Sequence, residues 1–312
     1  MEQALGPAIG PHEEVGGFSS SVWSRATRPR LLTWLSDLAG ELRATKRFWS
    51  GRTEAGKEIS NMTDSPKSAV LGAAPEGAAD PQSAARAVRA MFTAIAPRYD
   101  LLNHLLSFNI DRLWWRRTAR AFANILARPE SQVLDLCCGT GDMTLALRRQ
   151  AGKSRPRILG ADFSHAMLQR AGQKAAATPL RWIEADALRL PFPDAHFDLI
   201  TSAFGFRNLA DYDAGLREIM RVLRPGGEFG ILDFGEPEGL VGNCYRLYFK
   251  RVLPAVGTLI SGVKGPYAYL PASVARFPAP GEMLQRIRET GFRESSWTPY
   301  TLGIAGLYRG KK

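Results

Sequence analysis

VLDLCCGTGD, residues 133–142, reads as a strand that breaks into a glycine turn and then a helix. Val133, Leu134 and Leu136 form the apolar run, Gly139 and Gly141 shape the turn, and Asp142 opens a polar helix start. A second apolar run, Arg157 to Gly160, leads to an acid at Asp162. In an α/β domain this order builds a nucleoside site. Glycines let the backbone close on the ligand, and a carboxylate ending the next strand takes the two ribose hydroxyls.

The alternation continues on both sides. Strands are expected at 131–136, 156–161, 180–185, 197–203 and 228–234, with helices at 141–150, 164–176 and 211–223. Tyr212, Leu216, Ile219, Met220 and Leu223 mark the buried face of the last of these helices, and Pro225, Gly226 and Gly227 turn the chain into the next strand. Residues 238–262 read as helical with a break at Pro254. A helix follows at 279–290, and strands at 293–298 and 302–309 close as a hairpin on the sheet edge. Such alternation argues for an α/β fold, a doubly wound, mostly parallel seven-stranded sheet covered on both faces. Upstream, Val88, Met91, Phe92 and Ile95 share one helical face, in a helix that Pro97 stops. A second helix is expected from an N-cap at Asp111 to Ala127, ended by Pro129.

Residues 1–82 differ in kind, being rich in Gly, Pro, Ala and Ser with mixed charge. They are expected to be a disordered or non-native extension, leaving 83–312 as the folded domain. Between Thr27 and Trp49 the leucines 31, 32, 35, 38 and 42 have the pattern of a membrane-surface helix. Met62 precedes an ordinary polar lead-in, so the native chain is expected to start there, which N-terminal sequencing would check.

The 312 residues, 45% hydrophobic and 23% charged, describe an ordinary globular chain with enough apolar material to fold without disulfides. Its three cysteines, Cys137, Cys138 and Cys244, make neither a disulfide framework nor a zinc knuckle. Reduced thiols in a cytoplasmic protein are expected, with no metal site. The net charge of +11 attracts polyanions. No RNA-binding motif is present, no apolar run reaches the ~18 residues of a membrane span, and the start lacks a secretory pattern. Contact with a membrane surface and plain solubility both remain open.

The choice of nucleoside follows from what the turn lacks. Thr144 stands where a dinucleotide fold has its third glycine, and no P-loop lysine follows. Phosphates are poorly provided for, so an adenosine without them, S-adenosylmethionine, fits better. Asp135 and Asp142 flank the turn and suit its positive charge. Asp186, in EADALRLPF (184–192), can accept from the adenine amino group. Each acid alone is a helix cap or a solvated turn; all three at strand ends make a site.

At this point the chain resembles the class I S-adenosylmethionine-dependent C-methyltransferases of ubiquinone and menaquinone biosynthesis. Four blocks carry the resemblance: YDLLNHLLSFNIDRLWWR (99–116), FGFRNLADYDAGLREIMRVLRPGG (204–227), YAYLPASVARFP (267–278) and GIAGLYRG (303–310). It implies a Rossmann-like fold with an N-terminal helical lid and an antiparallel C-terminal strand. It also implies cofactor contacts at Thr140, Asp162, Asp186 and Ala187, beside the turn glycines Gly139 and Gly141. Ala203 stands where the family often has serine. Cys137 and Cys138 replace a common Gly or Ala and look more like the menaquinone branch.

The implied reaction is methyl transfer to a ring carbon of demethylmenaquinol, giving menaquinol. The alternatives are the benzoquinol precursor of ubiquinone, or a non-catalytic cofactor-binding scaffold subunit. An RNA methyltransferase, suggested only by charge, lacks any RNA-binding module here. Arg207 is expected to stabilise the phenolate as a fixed cation, with Asn208 orienting a water or the quinol oxygen. The alternative is that both simply cap the helix at 211–223. Tyr99 is expected over the cofactor or quinol ring, or else in the core. His104 is either a proton acceptor or a polar helix residue, and Phe206, Phe249 and Tyr269 are candidates for an apolar tail channel. The expected partners are a prenylated quinol and the membrane surface, with no nucleic acid. A homodimer is compatible with this, as is a cytoplasmic location at the inner face of the membrane.

Overall fold

The computed structural model describes residues 80–237 and 266–312, with positions 72, 73, 239, 242, 247 and 248. The expectations for most of 1–82, including the Thr27–Trp49 segment and Met62, for most of 238–262, and for Phe249 and Cys244, lie outside the described residues.

Asp80 opens the first helix, α1 (Pro81–Ile95), by accepting the Ser83 amide while Ser83 returns a hydroxyl oxygen to the Asp80 amide. This is a capping box, with proline at the first helical position, where the amide has no acceptor within the helix. A 3₁₀ turn over 96–98 leads into α2 (Tyr99–Leu106), then α3 (Ile110–Ala121) and the short α4 (Ala123–Leu126). The N-cap of α3 is Asn109, not Asp111. Phe108 and Asn109 both take left-handed backbone (φ 54 and 61), so the chain reverses and the helix begins earlier. Asp111, the second residue of the helix and buried, accepts the Arg112 amide and bonds the His104 Nδ1 at 2.8 Å, tying α2 to α3. The expected single helix breaks at Phe122, which leaves helical backbone.

The alternating part is β1 (Gln132–Leu136), α5 (Asp142–Ala151), β2 (Arg157–Asp162), α6 (His165–Lys174), β3 (Arg181–Glu184), β4 (Phe197–Ala203), α7 (Tyr212–Val222) and β5 (Leu223–Phe234). Helices α8 (Pro266–Arg276) and α9 (Pro280–Glu289) and strands β6 (Arg293–Tyr300) and β7 (Ala305–Lys311) complete it. The seven strands run in the order β3-β2-β1-β4-β5-β7-β6. The first five are mutually parallel, and β7 is antiparallel to both β5 and β6. The closing hairpin at the edge is therefore as expected.

Side chains alternate across the strands and fill two cores. Leu134, Leu136, Ile200 and Ile231 face one way, against Leu216 and Ile219 of α7 and Met283 and Ile287 of α9. Val133, Leu199 and Leu232 face the other, against Trp114, Phe122 and Leu147 of the opposite helical layer. The chain winds outward from β1 to β3, then returns to the other side of β1 at β4. That reversal leaves a crevice at the carboxyl ends of β1 and β4, the place where open α/β sheets hold ligands.

The glycine turn sits at this crevice. Gly141 has φ +86, and a Cβ there would lie 2.6 Å from Trp182 Cη2 and 3.3 Å from Ala171 Cβ. Gly141→Ala is expected to cost about 2–4 kcal/mol, from left-handed backbone strain and overpacking together. Thermal melting of the cofactor-free protein would measure it, and an unchanged midpoint would contradict it.

Candidate active site

The carboxyl ends of β1, β2, β4 and β5, with helices α1 to α3 and α8, enclose a cavity of about 440 Å³. Its size and mostly apolar wall suit a small-molecule site. Tyr99, Gly139, Thr140, Asp162, Asp186, Ala187, Arg207 and Asn208 all line it. Gly141 does not. It stands behind the turn, at the start of α5, where its missing side chain admits Trp182. Phe206 is also absent from the wall. It is fully buried in the core against Leu209 and Tyr212, whereas Tyr269 does line the cavity.

One end of the cavity is acidic. Asp162 accepts the Gly139 amide on Oδ2 and the Ser164 amide on Oδ1, both at 2.9 Å, which fixes the carboxylate at the tip of β2. With about four lone pairs on its two oxygens, the carboxylate still has room for a further donor. Burial pushes this carboxyl up to about 6, against the pull of those amides. Asp135 lies beneath the turn, fully buried, and takes hydroxyls from Thr144 at 2.6 Å and Thr201 at 2.9 Å. Burial raises it to about 7. Thr144 thus fills the third glycine position with a hydroxyl committed to the core.

A network closes over the same turn. Lys174 Nζ lies 2.6 Å from Asp100 and 3.0 Å from Asp142, and it donates to Thr140 Oγ1 at 3.1 Å. The Thr140 hydroxyl in turn donates to Asp100, which belongs to the helical layer above. Asp186 holds its own Leu188 amide at 2.9 Å. Burial, followed by the neighbouring Asp162, raises both Cys137 and Cys138 well above an ordinary thiol. Neither is an available thiolate nucleophile.

The other end is aromatic, with Phe108, Trp114, Phe204, Phe234 and Tyr248 on its wall. Arg207 stands where the two ends meet, in a 3₁₀ turn over 206–208 just past β4. It is buried, and its guanidinium donates to Asp233 Oδ1 at 2.8 Å and to the Phe204 carbonyl. Its amide donates to Asp233 Oδ2 at 3.1 Å, and its guanidinium carbon lies 5.1 Å from the Phe234 ring centre. Arg207 Nε has no hydrogen-bond partner although it is buried. Arg207 lines the cavity, and a buried charged donor left without a partner calls for one. Asp211, not Arg207 or Asn208, caps α7 by accepting the Ala214 amide at 2.9 Å. Asn208 accepts the Tyr269 hydroxyl at 3.1 Å. Tyr99 reaches the turn from the helical layer: its Cε1 would lie 3.9 Å from a Cβ on Gly139.

Asp233, Asp100 and Lys174 are the residues that sequence reasoning missed. Asp233 had a usable signal, since it nearly ends an apolar strand, as Asp162 does. Asp100 and Lys174 meet only through the fold.

These residues fit S-adenosylmethionine. Two carboxylates face one ammonium at the turn, so the local charge is negative and suits a cation rather than a pyrophosphate. Gly139 leaves open space beside Tyr99, and Asp162 offers free lone pairs in a fixed position. Among the described residues there is no His/Cys/Asp/Glu group able to hold a metal ion.

Residues 80–312 match the family described as the ubiE/COQ5 methyltransferase family. A demethylmenaquinone methyltransferase of Deinococcus radiodurans is 51% identical over 236 residues, covering 75% of this chain and 95% of that protein. A protein of the same name from Thermus thermophilus is 49% identical over 225 residues, covering 71% and 100%. The ubiquinone/menaquinone biosynthesis C-methyltransferase UbiE of Geobacter sulfurreducens is 43% identical over 230 residues, covering 72% and 88%. Among solved structures, a SAM-dependent methyltransferase from Thermotoga maritima has a TM-score of 0.53 at 18% identity, over 72% of this chain and 99% of that one. That likeness speaks for the fold alone.

Proposed function

Since the chain belongs to the ubiE/COQ5 methyltransferase family, it is an S-adenosylmethionine-dependent C-methyltransferase of quinone biosynthesis, and we propose that its acceptor is demethylmenaquinol, methylated on a ring carbon to give menaquinol. The names of the relatives at 51% and 49% identity favour the naphthoquinol over the benzoquinol. One observation carries the chemical assignment: a buried guanidinium with a free Nε, set between an acidic nucleoside cradle and an aromatic chamber.

The cofactor would be held by the 139–140 turn, by Asp162 through its spare lone pairs, and by Asp186 and Ala187 beside the base. When bound it supplies an electrophilic methyl group with a neutral leaving group. A quinol ring carbon is a weak nucleophile until the neighbouring hydroxyl ionises. Arg207 Nε donates to that oxygen, favours the phenolate, and so raises electron density at the adjacent carbon. Arginine stays protonated and is not the base. The hydroxyl proton leaves to a water that Asn208 orients. After the new C–C bond forms, the ring carbon loses its proton, the oxygen regains one, and aromaticity returns. Asp233 positions the guanidinium and touches no reacting atom. Tyr99 and the aromatic wall align the ring and exclude water.

An acceptor with an isoprenoid tail resides in a bilayer, so the protein is assigned to the inner face of the cytoplasmic membrane as a peripheral protein. No described helix is long and apolar enough to cross a membrane, and the net charge of +11 favours an anionic surface.

The test is methyl transfer from labelled cofactor to both demethylated quinols by the purified protein. Label in demethylmenaquinol, ahead of the benzoquinol, is expected. Preference for the benzoquinol overturns the substrate assignment. Cofactor binding with label in neither would leave a scaffold.

A further inference from the structure

We propose that the rim of the cavity formed by the α2–α3 turn, the outer face of α3 and the β6–β7 connection is the surface that docks on an anionic bilayer. This rests on the membrane-borne acceptor proposed above and names the face that meets the lipid.

Five large apolar side chains are exposed among the described residues: Leu101, Phe108, Leu113, Leu247 and Leu302. Three of them, Phe108, Leu247 and Leu302, belong to or adjoin the cavity wall. Phe108 is itself in the wall. Leu247 precedes Tyr248 and Leu302 follows Thr301, both of which line the cavity, whereas Leu101 is on the opposite face of α2 from Tyr99 and Asn103, and Leu113 is on the outer side of α3. Scattered exposed leucines are ordinary, but three large apolar side chains gathered at one opening mark an interaction surface.

The backbone holds the most exposed pair outward. Phe108 is 74% exposed and Leu302 76%, and both sit in left-handed backbone (φ 54 and 57) beside a second such residue, Asn109 and Thr301. Bulky residues rarely accept this conformation. The two turns are neighbours, because Trp114 Nε1 of α3 donates to Thr301 Oγ1 at 2.7 Å. The Phe108 ring meets Tyr248 at 6.2 Å between centres, which brings the Leu247 segment to the same side.

Charge selects the partner. Arg112, Arg116 and Arg120 are exposed on α3 and, at helical spacing, share an arc with Leu113. No carboxylate among the described residues pairs with their guanidinium groups. Apolar side chains at the cavity mouth, with unneutralised arginines on the outer face of the adjoining α3, match acyl chains beneath anionic headgroups. A tailed acceptor could then enter the aromatic end without crossing water.

Sedimentation of the full chain with vesicles of phosphatidylcholine, with or without phosphatidylglycerol, tests this. Two variants avoid the site: Arg112→Gln/Arg116→Gln/Arg120→Gln, and Leu113→Gln/Leu302→Asn, in which asparagine suits the left-handed position. The wild type is expected to bind the anionic vesicles, and each variant to bind them at least ~10-fold more weakly. Methylation of a tail-less quinol in buffer should stay within about twofold in both, which checks that they fold and that the acceptor assignment holds. Variants that sediment like wild type overturn this face even if the protein binds membranes. A wild type that methylates the quinol but ignores anionic vesicles, or self-associates instead, overturns the lipid partner alone. A wild type that binds vesicles through this face but methylates no quinol overturns the acceptor assignment alone.

Discussion

Arg207→Met is expected to lower turnover by roughly 10²–10³-fold, the usual loss when one preorganised donor to a developing oxyanion is removed. Cofactor affinity should stay within about threefold, because Arg207 lies beyond the acidic end of the cavity. The substitution also strands Asp233, which is buried and accepts both the guanidinium and the amide of Arg207. Leaving such a charge unpaired costs about 3–5 kcal/mol, so the single variant should melt early. Arg207→Met/Asp233→Asn removes both charges and is expected to recover most of that stability but none of the turnover. The pH–rate profile should move to higher pH in the double variant, since the quinol hydroxyl loses the cation that favours its ionised form. Wild-type turnover in a well-folded double variant would take Arg207 out of the mechanism.

Asp162→Ala should act on the opposite quantity. Two hydroxyl donors to a charged acceptor are worth about 3–5 kcal/mol, so cofactor affinity is expected to fall by roughly 10²–10³-fold or more. Loss of the acceptor for the Gly139 and Ser164 amides adds a local loosening of the turn. The wild type carries a pH signature of the same group. Its carboxyl titrates near 6 when folded, from an ordinary value of 3.8. A folded value above the unfolded one means that this group's contribution to stability is full below 3.8 and lost as pH rises through 6. Cofactor binding runs the other way, because only the ionised carboxylate accepts both hydroxyls. Calorimetry across pH 5 to 8 should find affinity weakening about tenfold per unit below ~6, while Asp162→Asn shows weak, nearly flat binding. A wild-type profile flat through pH 6 would remove Asp162 from the ribose.

The cradle was legible because its signals are local. A strand, two glycines and an acid at the end of the next strand lie within one βαβ unit, and register alone then places Asp162 against the Gly139 amide. Arg207 and Asn208 were legible through a family block. What the sequence concealed depends on distant pairing. Asp233 reaches Arg207 only because β5 lies beside β4, with Ala203 opposite Leu232. The Asp100–Lys174 bridge joins elements on either side of β1 and β2. Gly141 is required by Trp182, which no local pattern relates to the turn. The reversal at Phe108–Asn109 contains no glycine, so nothing local announces that α3 begins before Asp111.

The strand order also bears on how the chain matures. β7 fills the slot between β5 and β6, and it is synthesised after both. Until it emerges from the ribosome, β5 has one bare flank, a row of unmet amides and carbonyls open to stray pairing. The nucleoside half can assemble early from nearby segments, whereas the far flank awaits a long-range closure that is slow to form. Newly made chains are therefore most exposed to clumping in the interval before residues 305–311 zip into place.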